Sequence, residues 1–415
     1  MTTPGISVSF EMLEQGVYEA LKTYSNVHRG SGHFSMVTTH LYEKAREIVL
    51  DYLKLDRRKY TVVFCTPERA AALVLKLKPG SFQCISSMDI SLPLGVRALA
   101  VKRNALPKGA PSHSGGGTAR LVSKEWVLWS DAPGRFEAGT PAIINVIAFA
   151  RALILVKGSS GNRLFDKKEE KLTVSDIIFN DQLDKYSGTD LLEKLRDTFI
   201  GTGVSVPTCD GIKAYVNLDN AASTPAPLPI WNSVCQTWRQ PEDAHIEIID
   251  KVKTICSEML GASRENFEIL FTANTTESIN LAAENLQSDS VNDFEPVIIN
   301  TIIEHNSNDL PWRSVPGYSM IKLGADADGF VDINELEKLL SEYNLHNLHG
   351  RKRIRLIAVC GGSNVLGVFN NIDDISRIVH HYGALLFVDA AQVVAHRTID
   401  MEKSGIDFLA FSAHK

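Results

Sequence analysis

The sequence has few cysteines, no long apolar run and no excess of positive charge, and each shortage excludes a class of protein. Its six cysteines in 415 residues include no C-x-x-C pair and are too sparse for a disulfide-built scaffold. A reduced, cytoplasmic setting is the simplest interpretation. Lys plus Arg number 43 against 49 Asp plus Glu, a net charge of -6, whereas a nucleic-acid binder should carry a basic excess. The N-terminus lacks the basic and apolar regions of a signal peptide.

The most apolar stretch, residues 142–156, is too short to cross a membrane. It has only about 15 residues and includes Arg151, whereas a membrane-spanning helix needs about 20 apolar residues. We therefore predict a buried helix here and no membrane partner.

Hydrophobic periodicity predicts alternating strands and helices from residue 266 onwards. Aliphatic residues three or four apart predict helices over residues 42–53, 246–260, 278–285, 333–341 and 372–382. Short apolar runs predict buried strands over residues 61–64, 268–271, 296–300, 356–359, 385–388 and 408–411. The alternation indicates an α/β domain with a mostly parallel sheet.

Two of these strands end in residues that can carry chemistry. Asp389 follows one strand, and Ser412, His414 and Lys415 follow the next. Ligands of open α/β sheets bind at the carboxyl ends of the strands. There an Asp can keep a pyridine nitrogen protonated and a Lys can form a Schiff base. Each residue alone has a plainer interpretation, with Asp389 as a helix cap and Lys415 as a surface lysine.

The pair occurs within a longer series of motifs that resembles the class V aminotransferases, and among them the cysteine desulfurases. The motifs are DNAASTP at 219–225, FTANTTESIN at 271–280, EHNSN with PW at 304–312, and SNVLG at 363–367. They follow the order of the family, and the resemblance extends over residues 213–415. It implies the large domain of fold type I pyridoxal-phosphate enzymes, with a mostly parallel sheet flanked by helices.

The resemblance also implies a role for each matching residue. Thr275 and Thr276, with Ser412 and His414, would bind the phosphate of pyridoxal phosphate. His305 would stack on its ring, Asn364 and Gln392 would contact the ring hydroxyl, Asp389 would pair with the ring nitrogen, and Lys415 would form the Schiff base. Asn220, Ala221 and Ala222 are weaker candidates for substrate binding.

The first half resembles the same family in pieces. The pieces are NVHRG at 26–30 with His33 and Ser35, SLPLGVRALAV at 91–101, GGG at 115–117 and RFEAGTP at 135–141. In the family the Thr of the last motif reaches a phosphate across the dimer, which makes Thr140 a candidate. The alternative for Thr140 is an ordinary helix N-cap. The position that corresponds to the lysine holds Asp89, so this half cannot form the Schiff base.

These matches predict three regions. They are a partial, degenerate unit over residues 1–156, a linker and helix over 157–212, in which 157–171 is polar and charged, and a cofactor-binding domain over 213–415. We expect the apolar strand at 96–101 to pair into the sheet of the third region, which would otherwise expose an apolar edge. Residues 135–140 would then approach the cofactor cleft of the same chain or of a dimer mate.

The sequence thus predicts a pyridoxal-phosphate enzyme, a homodimer, that acts on an amino acid, cysteine among them. The family's RxGxHC loop and its substrate-binding arginine are not found, so we expect the small C-terminal domain to be missing. The alternative is a non-catalytic relative that serves as a dimerisation or scaffold protein.

No metal site is predicted. Residues 326–335 resemble a calcium loop, but its first position would be Gly324, which offers no carboxylate. The glycines at 115–117 lack the Lys-Ser/Thr of a nucleotide-binding loop.

Overall fold

The computed structural model describes residues 4–28, 30, 32–158, 165, 172–180, 182–286 and 294–415. The helices are α1 (Pro4–Leu21), α2 (His33–Tyr52), α3 (Pro67–Val74), α4 (Ile143–Gly158), α5 (Val174–Ile178), α6 (Gly188–Asp197), α7 (Leu228–Trp238), α8 (Glu242–Met259), α9 (Thr275–Asn285), α10 (Ile333–Leu340), α11 (Ile372–His381) and α12 (Met401–Ser404). The strands are β1 (Tyr60–Cys65), β2 (Phe82–Ser86), β3 (Arg97–Lys102), β4 (Ala119–Val122), β5 (Val127–Trp129), β6 (Ser205–Thr208), β7 (Gly211–Ala214), β8 (Glu295–Thr301), β9 (Ser319–Leu323), β10 (Lys352–Cys360), β11 (Leu385–Asp389) and β12 (Phe408–Ala410).

The chain divides into two compact units. Unit 1 comprises Met1–Lys108 and Thr140–Val252, and unit 2 comprises Gly109–Gly139 and Lys253–Lys415. The boundaries of these units differ from those of the three expected regions. The main difference is that residues 109–139 group with the second half of the chain. The expected linker at 157–171 lies outside the described residues except for 157, 158 and 165.

Unit 1 is built around a three-stranded antiparallel sheet with the order β1-β3-β2. The predicted buried helix is α4, which contacts α1 and α2. Phe149 and Leu153 on α4 are completely buried. In the described part of the chain, no helix is both long and apolar enough to span a bilayer.

Unit 2 contains a five-stranded sheet with the order β12-β11-β10-β8-β9, in which every pairing is parallel. Alternate residues of the strands face opposite sides, as the strand period of two requires. On β10, Ile357 packs with side chains of α10, α11 and α12, whereas Ala358 packs with side chains of α9 and with Trp312. The predicted α/β class, with a mostly parallel sheet flanked by helices, is therefore confirmed.

Two predicted features of this sheet are wrong. Residues 268–271 form no strand, and Leu270 and Phe271 are 63% and 54% exposed. A strand needs a neighbour with which to share hydrogen bonds, and β12 pairs only with β11 among the described strands. The predicted pairing of 96–101 with this sheet also fails, because β3 already has β1 on one side and β2 on the other.

Ile357→Ala tests the core of unit 2. Ile357 is fully buried in the middle of β10, and truncation should lower the free energy of unfolding by roughly 2–5 kcal/mol through lost apolar burial and a residual cavity. Ile302→Ala is the matched control, because Ile302 is 63% exposed and its loss should cost less than about 0.5 kcal/mol. Hydrogen exchange of the β8, β10 and β11 amides across a urea series measures both values. Equal losses in the two variants would contradict this packing.

Candidate functional site

The carboxyl ends of the unit 2 strands gather chemically capable side chains at one edge of the sheet. Asp389 is the last residue of β11, and it is in register with Cys360 at the end of β10 and with Ala410 at the end of β12. His305 follows β8, and Lys415 follows β12. Because all these strands are parallel, their carboxyl ends meet at the same edge.

Asp389 is a buried carboxyl close to a positive charge. Its side chain is 6% exposed, and the Ala391 N–H donates to its Oδ1 at 3.0 Å. Burial raises the pKa of Asp389, and the Ala391 hydrogen bond and the Lys415 charge oppose that shift without cancelling it. The carboxyl therefore has more to gain from a nearby cation than an exposed aspartate has.

The first turn of α9 offers hydrogen-bond donors. Asn274 is the N-cap residue, and its side-chain oxygen accepts the Glu277 N–H at 3.0 Å. The amides of Thr275 and Thr276 precede the first intrahelical bonds, so the helix itself provides no acceptor for them. Thr275 is 8% exposed, and its buried Oγ1 has no hydrogen-bond partner within the described residues. A helix N-terminus with a buried, unsatisfied hydroxyl is suited to an anion.

His305 is connected to this turn by hydroxyl groups. It is the N-cap of a single 3-10 turn at Asn306–Asn308, and its Nδ1 accepts the Ser307 N–H at 3.1 Å. The Ser307 hydroxyl lies 3.0 Å from the same Nδ1 and 2.7 Å from the Thr276 hydroxyl. The predicted phosphate-binding and ring-stacking residues are therefore neighbours in the structure.

Residues 109–139, which we call the clasp, pack on the same turn. The Ser114 N–H donates to Asn280 Oδ1 at 3.2 Å, and Asn280 Nδ2 donates back to the Ser114 carbonyl at 2.8 Å. Asn274 Nδ2 donates to the Ala138 carbonyl at 3.2 Å. Ala138, within the expected range 135–140, thus lies against the start of α9, although the strand pairing on which that expectation was based does not form.

Two glycines allow the clasp to come this close. Gly115 has φ +148 and Gly139 has φ +80, both in the region that favours glycine. A Cβ on Gly115 would lie 2.3 Å from Thr276 Cγ2, and one on Gly139 would lie 2.3 Å from Asn274 Oδ1. A larger residue at either position would push the clasp away from α9.

Beside His305 lies a buried polar network. Glu304 accepts hydrogen bonds from the Thr301 hydroxyl, Asn308 Nδ2 and the Cys360 N–H, at 2.6, 2.7 and 2.9 Å. Burial raises its pKa to about 7, and the Asp389 carboxylate adds to the rise. The sequence reasoning gave Glu304 no role. Its position in the EHNSN motif was the only signal.

A buried ion cluster supports the same segment. Lys322 Nζ lies 2.7 Å from Asp309 Oδ1, and Arg313 Nη2 lies 2.7 Å from Asp309 Oδ2. Lys322 also donates to Asn300 Oδ1 at 2.6 Å. These bonds attach the residues after His305 to the ends of β8 and β9.

The other predicted residues of unit 2 lie at turns beyond the strand ends. Gln392 is half-buried after β11, and Asn364 is exposed after β10. Ser412 is half-buried and its Oγ accepts the His414 N–H at 3.4 Å.

The remaining candidates, Thr140, Asn220, Ala221 and Ala222, belong to unit 1. There the Ala222 carbonyl accepts Asn26 Nδ2 at 3.1 Å. Thr140 is not the N-cap residue of α4, which begins at Ile143. Asp89, at the position that would hold a lysine, accepts the Ser86 N–H at 2.8 Å and so completes a capping box.

The cysteines and the acidic residues provide no further centre. No disulfide joins any of the six cysteines, all of which lie in described positions. In the described ranges, no group of His, Cys, Asp and Glu is arranged to hold a metal ion. Burial raises the pKa of the Cys360 thiol, so it stays protonated although it lies at the site edge.

Curated relatives match about half of the chain. The most similar include probable cysteine desulfurases from Halalkalibacterium halodurans, 30% identical over 48% of this chain and 50% of the relative, and from Methanothermobacter thermautotrophicus, 34% identical over 49% and 50%. A solved cysteine desulfurase from Thermococcus onnurineus is 26% identical over 54% of this chain and 53% of that one, with a TM-score of 0.44. The chain thus spans about half the length of the curated relatives it matches.

A family model gives the wider match. The model for aminotransferase class-V matches residues 80–198 and 216–415, which together are well over half of the chain. The matched ranges include the clasp in the first segment and α9, His305, Asp389 and Lys415 in the second. This protein belongs to the class V aminotransferase family.

Proposed function

We propose that unit 2 binds pyridoxal phosphate and that the chain is part of a cysteine desulfurase-like enzyme acting on an amino acid. The observation that carries the proposal is the convergence of Thr276, His305, Asp389 and Lys415 at one sheet edge. The names of the relatives support cysteine as the substrate. A homodimer in the cytoplasm, as the family resemblance suggests, completes the proposal.

The donors at the start of α9 fit a phosphate group. The unsatisfied, buried Thr275 hydroxyl and the Thr275 and Thr276 amides would all donate to it. The positive end of an eleven-residue helix adds a favourable field for a dianion. Ser412 and His414 are proposed as further contacts to the same phosphate.

The remaining contacts would hold the cofactor ring. Pyridoxal phosphate supplies an aldehyde that amines attack and a ring that accepts electrons from a bound amino acid. The Asp389 carboxylate would hold the proton of the ring nitrogen, and His305 would cover the face of the ring. Asn364 and Gln392 would orient the ring hydroxyl. The Lys415 amine would hold the cofactor at its aldehyde carbon.

Asn220, Ala221 and Ala222 are proposed for substrate binding, and Thr140 for cofactor binding. The first three match the family motif at 219–225, and Thr140 follows the clasp in sequence. The buried Cys360 thiol is a poor candidate for the sulfur-accepting nucleophile, because its raised pKa disfavours the thiolate.

A protonated Glu304 would leave Asp389 as the negatively charged carboxylate at this edge of the sheet. The Asp389 carboxylate adds to the rise in the pKa of Glu304, so a proton on Glu304 is favoured while Asp389 is ionised. A protonated Glu304 near neutral pH leaves Asp389 as the carboxylate available to a ring nitrogen. This gives the segment before His305 a role in setting charge as well as in packing.

Lys415→Ala tests covalent attachment. Wild-type protein should develop a saturable visible absorbance band with one equivalent of pyridoxal phosphate. Lys415→Ala should lose the band and bind more weakly, because only the phosphate and ring contacts remain. Lys403→Ala, which removes an exposed lysine of α12, is the matched control and should behave as wild type. A band that persists in Lys415→Ala would overturn the lysine assignment, and no saturable band in wild type would favour a non-catalytic relative.

Asp389→Asn tests the ring-nitrogen contact. The amide cannot carry the negative charge that stabilises a protonated nitrogen, so activity with cysteine should fall by at least about 10²-fold, as for loss of one strong electrostatic contact. The affinity for pyridoxal phosphate should change little, because the α9 groups proposed to donate hydrogen bonds to its phosphate are intact. Steady-state kinetics and a binding titration separate the two effects, with Asp328→Asn as the control because Asp328 is exposed. Equal losses of affinity and rate would argue for a structural role alone.

The raised pKa of Glu304 predicts a pH-dependent stability. The unfolded carboxyl titrates near 4.5 and the folded one near 7, so the folded protein holds the extra proton between these values. The contribution of Glu304 to the free energy of unfolding should therefore be largest below pH 4.5 and should fall as pH rises to 7, by at most about 3 kcal/mol.

Glu304→Gln should flatten this dependence, because the amide does not titrate. Urea unfolding of the two proteins at pH 5 and at pH 7.5 measures the difference. Identical pH slopes in wild type and Glu304→Gln would show that the Glu304 carboxyl titrates normally.

A further inference from the structure

A row of hydrogen bonds leads from the start of α9 to the His305 ring. Thr276 Oγ1 lies 2.7 Å from Ser307 Oγ, which in turn lies 3.0 Å from His305 Nδ1. Gly116 of the clasp donates its N–H to the same Ser307 oxygen at 3.3 Å. Thr276 and Ser307 are only 2% and 6% exposed, so water competes little for these groups.

The direction of one bond in this row is fixed. A backbone N–H can only donate, so the Ser307 amide makes His305 Nδ1 an acceptor. A neutral His305 therefore carries its proton on Nε2. The same argument applies to Gly116, whose amide occupies one lone pair of Ser307 Oγ.

The two hydroxyl groups then have two arrangements. In the first, Thr276 donates to Ser307, and the Ser307 hydroxyl shares the single lone pair of His305 Nδ1 with the Ser307 amide. In the second, Ser307 donates to Thr276, and the Thr276 proton is available for another acceptor. His305 Nδ1 then loses the Ser307 hydroxyl as a donor and keeps the Ser307 amide.

An anion at α9 would select the second arrangement. A hydrogen bond to an ionised acceptor is roughly twice as strong as one between neutral groups. The Thr276 hydroxyl would therefore turn towards a bound phosphate, and the Ser307 hydroxyl would turn from His305 towards Thr276. Rotation of hydroxyl groups needs no change in backbone or ring position.

The clasp holds the pivot of this exchange in place. Gly115 donates its N–H to Thr118 Oγ1 at 3.0 Å, and that hydroxyl donates to the Gly115 carbonyl at 2.8 Å. This closed turn directs the next amide, that of Gly116, at Ser307 Oγ. The bond keeps one lone pair of Ser307 occupied in both arrangements, so only the hydroxyl proton changes direction.

We propose that the Thr276–Ser307 hydroxyl pair relays phosphate binding at α9 to the Nδ1 atom of His305, with Ser307 as the positioning residue. The inference rests on the proposed phosphate site, and it adds that occupancy of that site changes the hydrogen bonding of the histidine over the ring. Arrival of the phosphate removes one donor from Nδ1 and leaves the ring proton on Nε2.

The test follows the histidine nitrogens of the whole chain during a titration with inorganic phosphate. Long-range proton–nitrogen spectra of protein labelled with ¹⁵N-histidine report Nδ1, and the signal absent from His305→Gln identifies it. Calorimetry of the same samples measures binding of phosphate independently. In wild type, the His305 Nδ1 signal should move downfield, as expected for a nitrogen that loses a hydrogen-bond donor. The phosphate concentration at half of this change should equal the half-saturation concentration measured by calorimetry.

Three variants separate the relay from packing. Ser307→Ala should still bind phosphate but show no phosphate-dependent change at Nδ1, and Ser307→Thr should restore the change. Ser130→Ala is the matched control, because its hydroxyl donates to the Gly117 carbonyl elsewhere in the clasp, and it should respond as wild type.

The outcomes distinguish this inference from the function on which it rests. Phosphate binding without an Nδ1 change in wild type, or an undiminished change in Ser307→Ala, would overturn the relay alone. Absence of phosphate binding at Thr275 and Thr276, seen as identical calorimetry in wild type and Thr275→Val, would overturn both.

Discussion

The paired hydrogen bonds between the Ser114 backbone and the Asn280 side chain attach the clasp to α9, and the candidate site depends on that attachment. They join positions 166 residues apart in sequence. Both groups are buried, so a donor or acceptor that lost its partner here could not form a replacement hydrogen bond with water. With the clasp in place, Gly116 reaches Ser307, and Ala138 reaches the Asn274 side chain.

The parallel sheet supplies the second half of the arrangement. Strands that all run in one direction bring their carboxyl ends to one edge, where Asp389, Cys360 and Ala410 are in register. The edge is dry enough to raise the pKa of two neighbouring carboxyls, Glu304 and Asp389. A carboxyl at such an edge has more to gain from a nearby cation than an exposed one has.

Local hydrophobic patterns in the sequence correctly predicted most of the buried strands of unit 2. The strands at 296–300, 356–359 and 385–388 are buried runs, and they form because the surrounding helices cover both faces. The strand at 268–271 failed, because strand formation depends on a neighbour that periodicity does not reveal. The clasp was only partly foreseen, since Ser114 and Asn280 are unremarkable polar residues until the fold pairs them. Ser307 belongs to the EHNSN motif, but its contact with Thr276 follows from the packing of α9 alone.

The central claim is that the clasp and the strand ends of the same chain form one phosphate-binding edge. A crystal structure of the protein with pyridoxal phosphate tests it most directly. The account predicts the phosphate within hydrogen-bonding distance of Thr275 Oγ1, the ring between His305 and Asp389, continuous density to Lys415 Nζ, and residues 114–117 of the same chain against α9. A phosphate bound elsewhere, or a clasp contributed to this edge by a second chain, would contradict it.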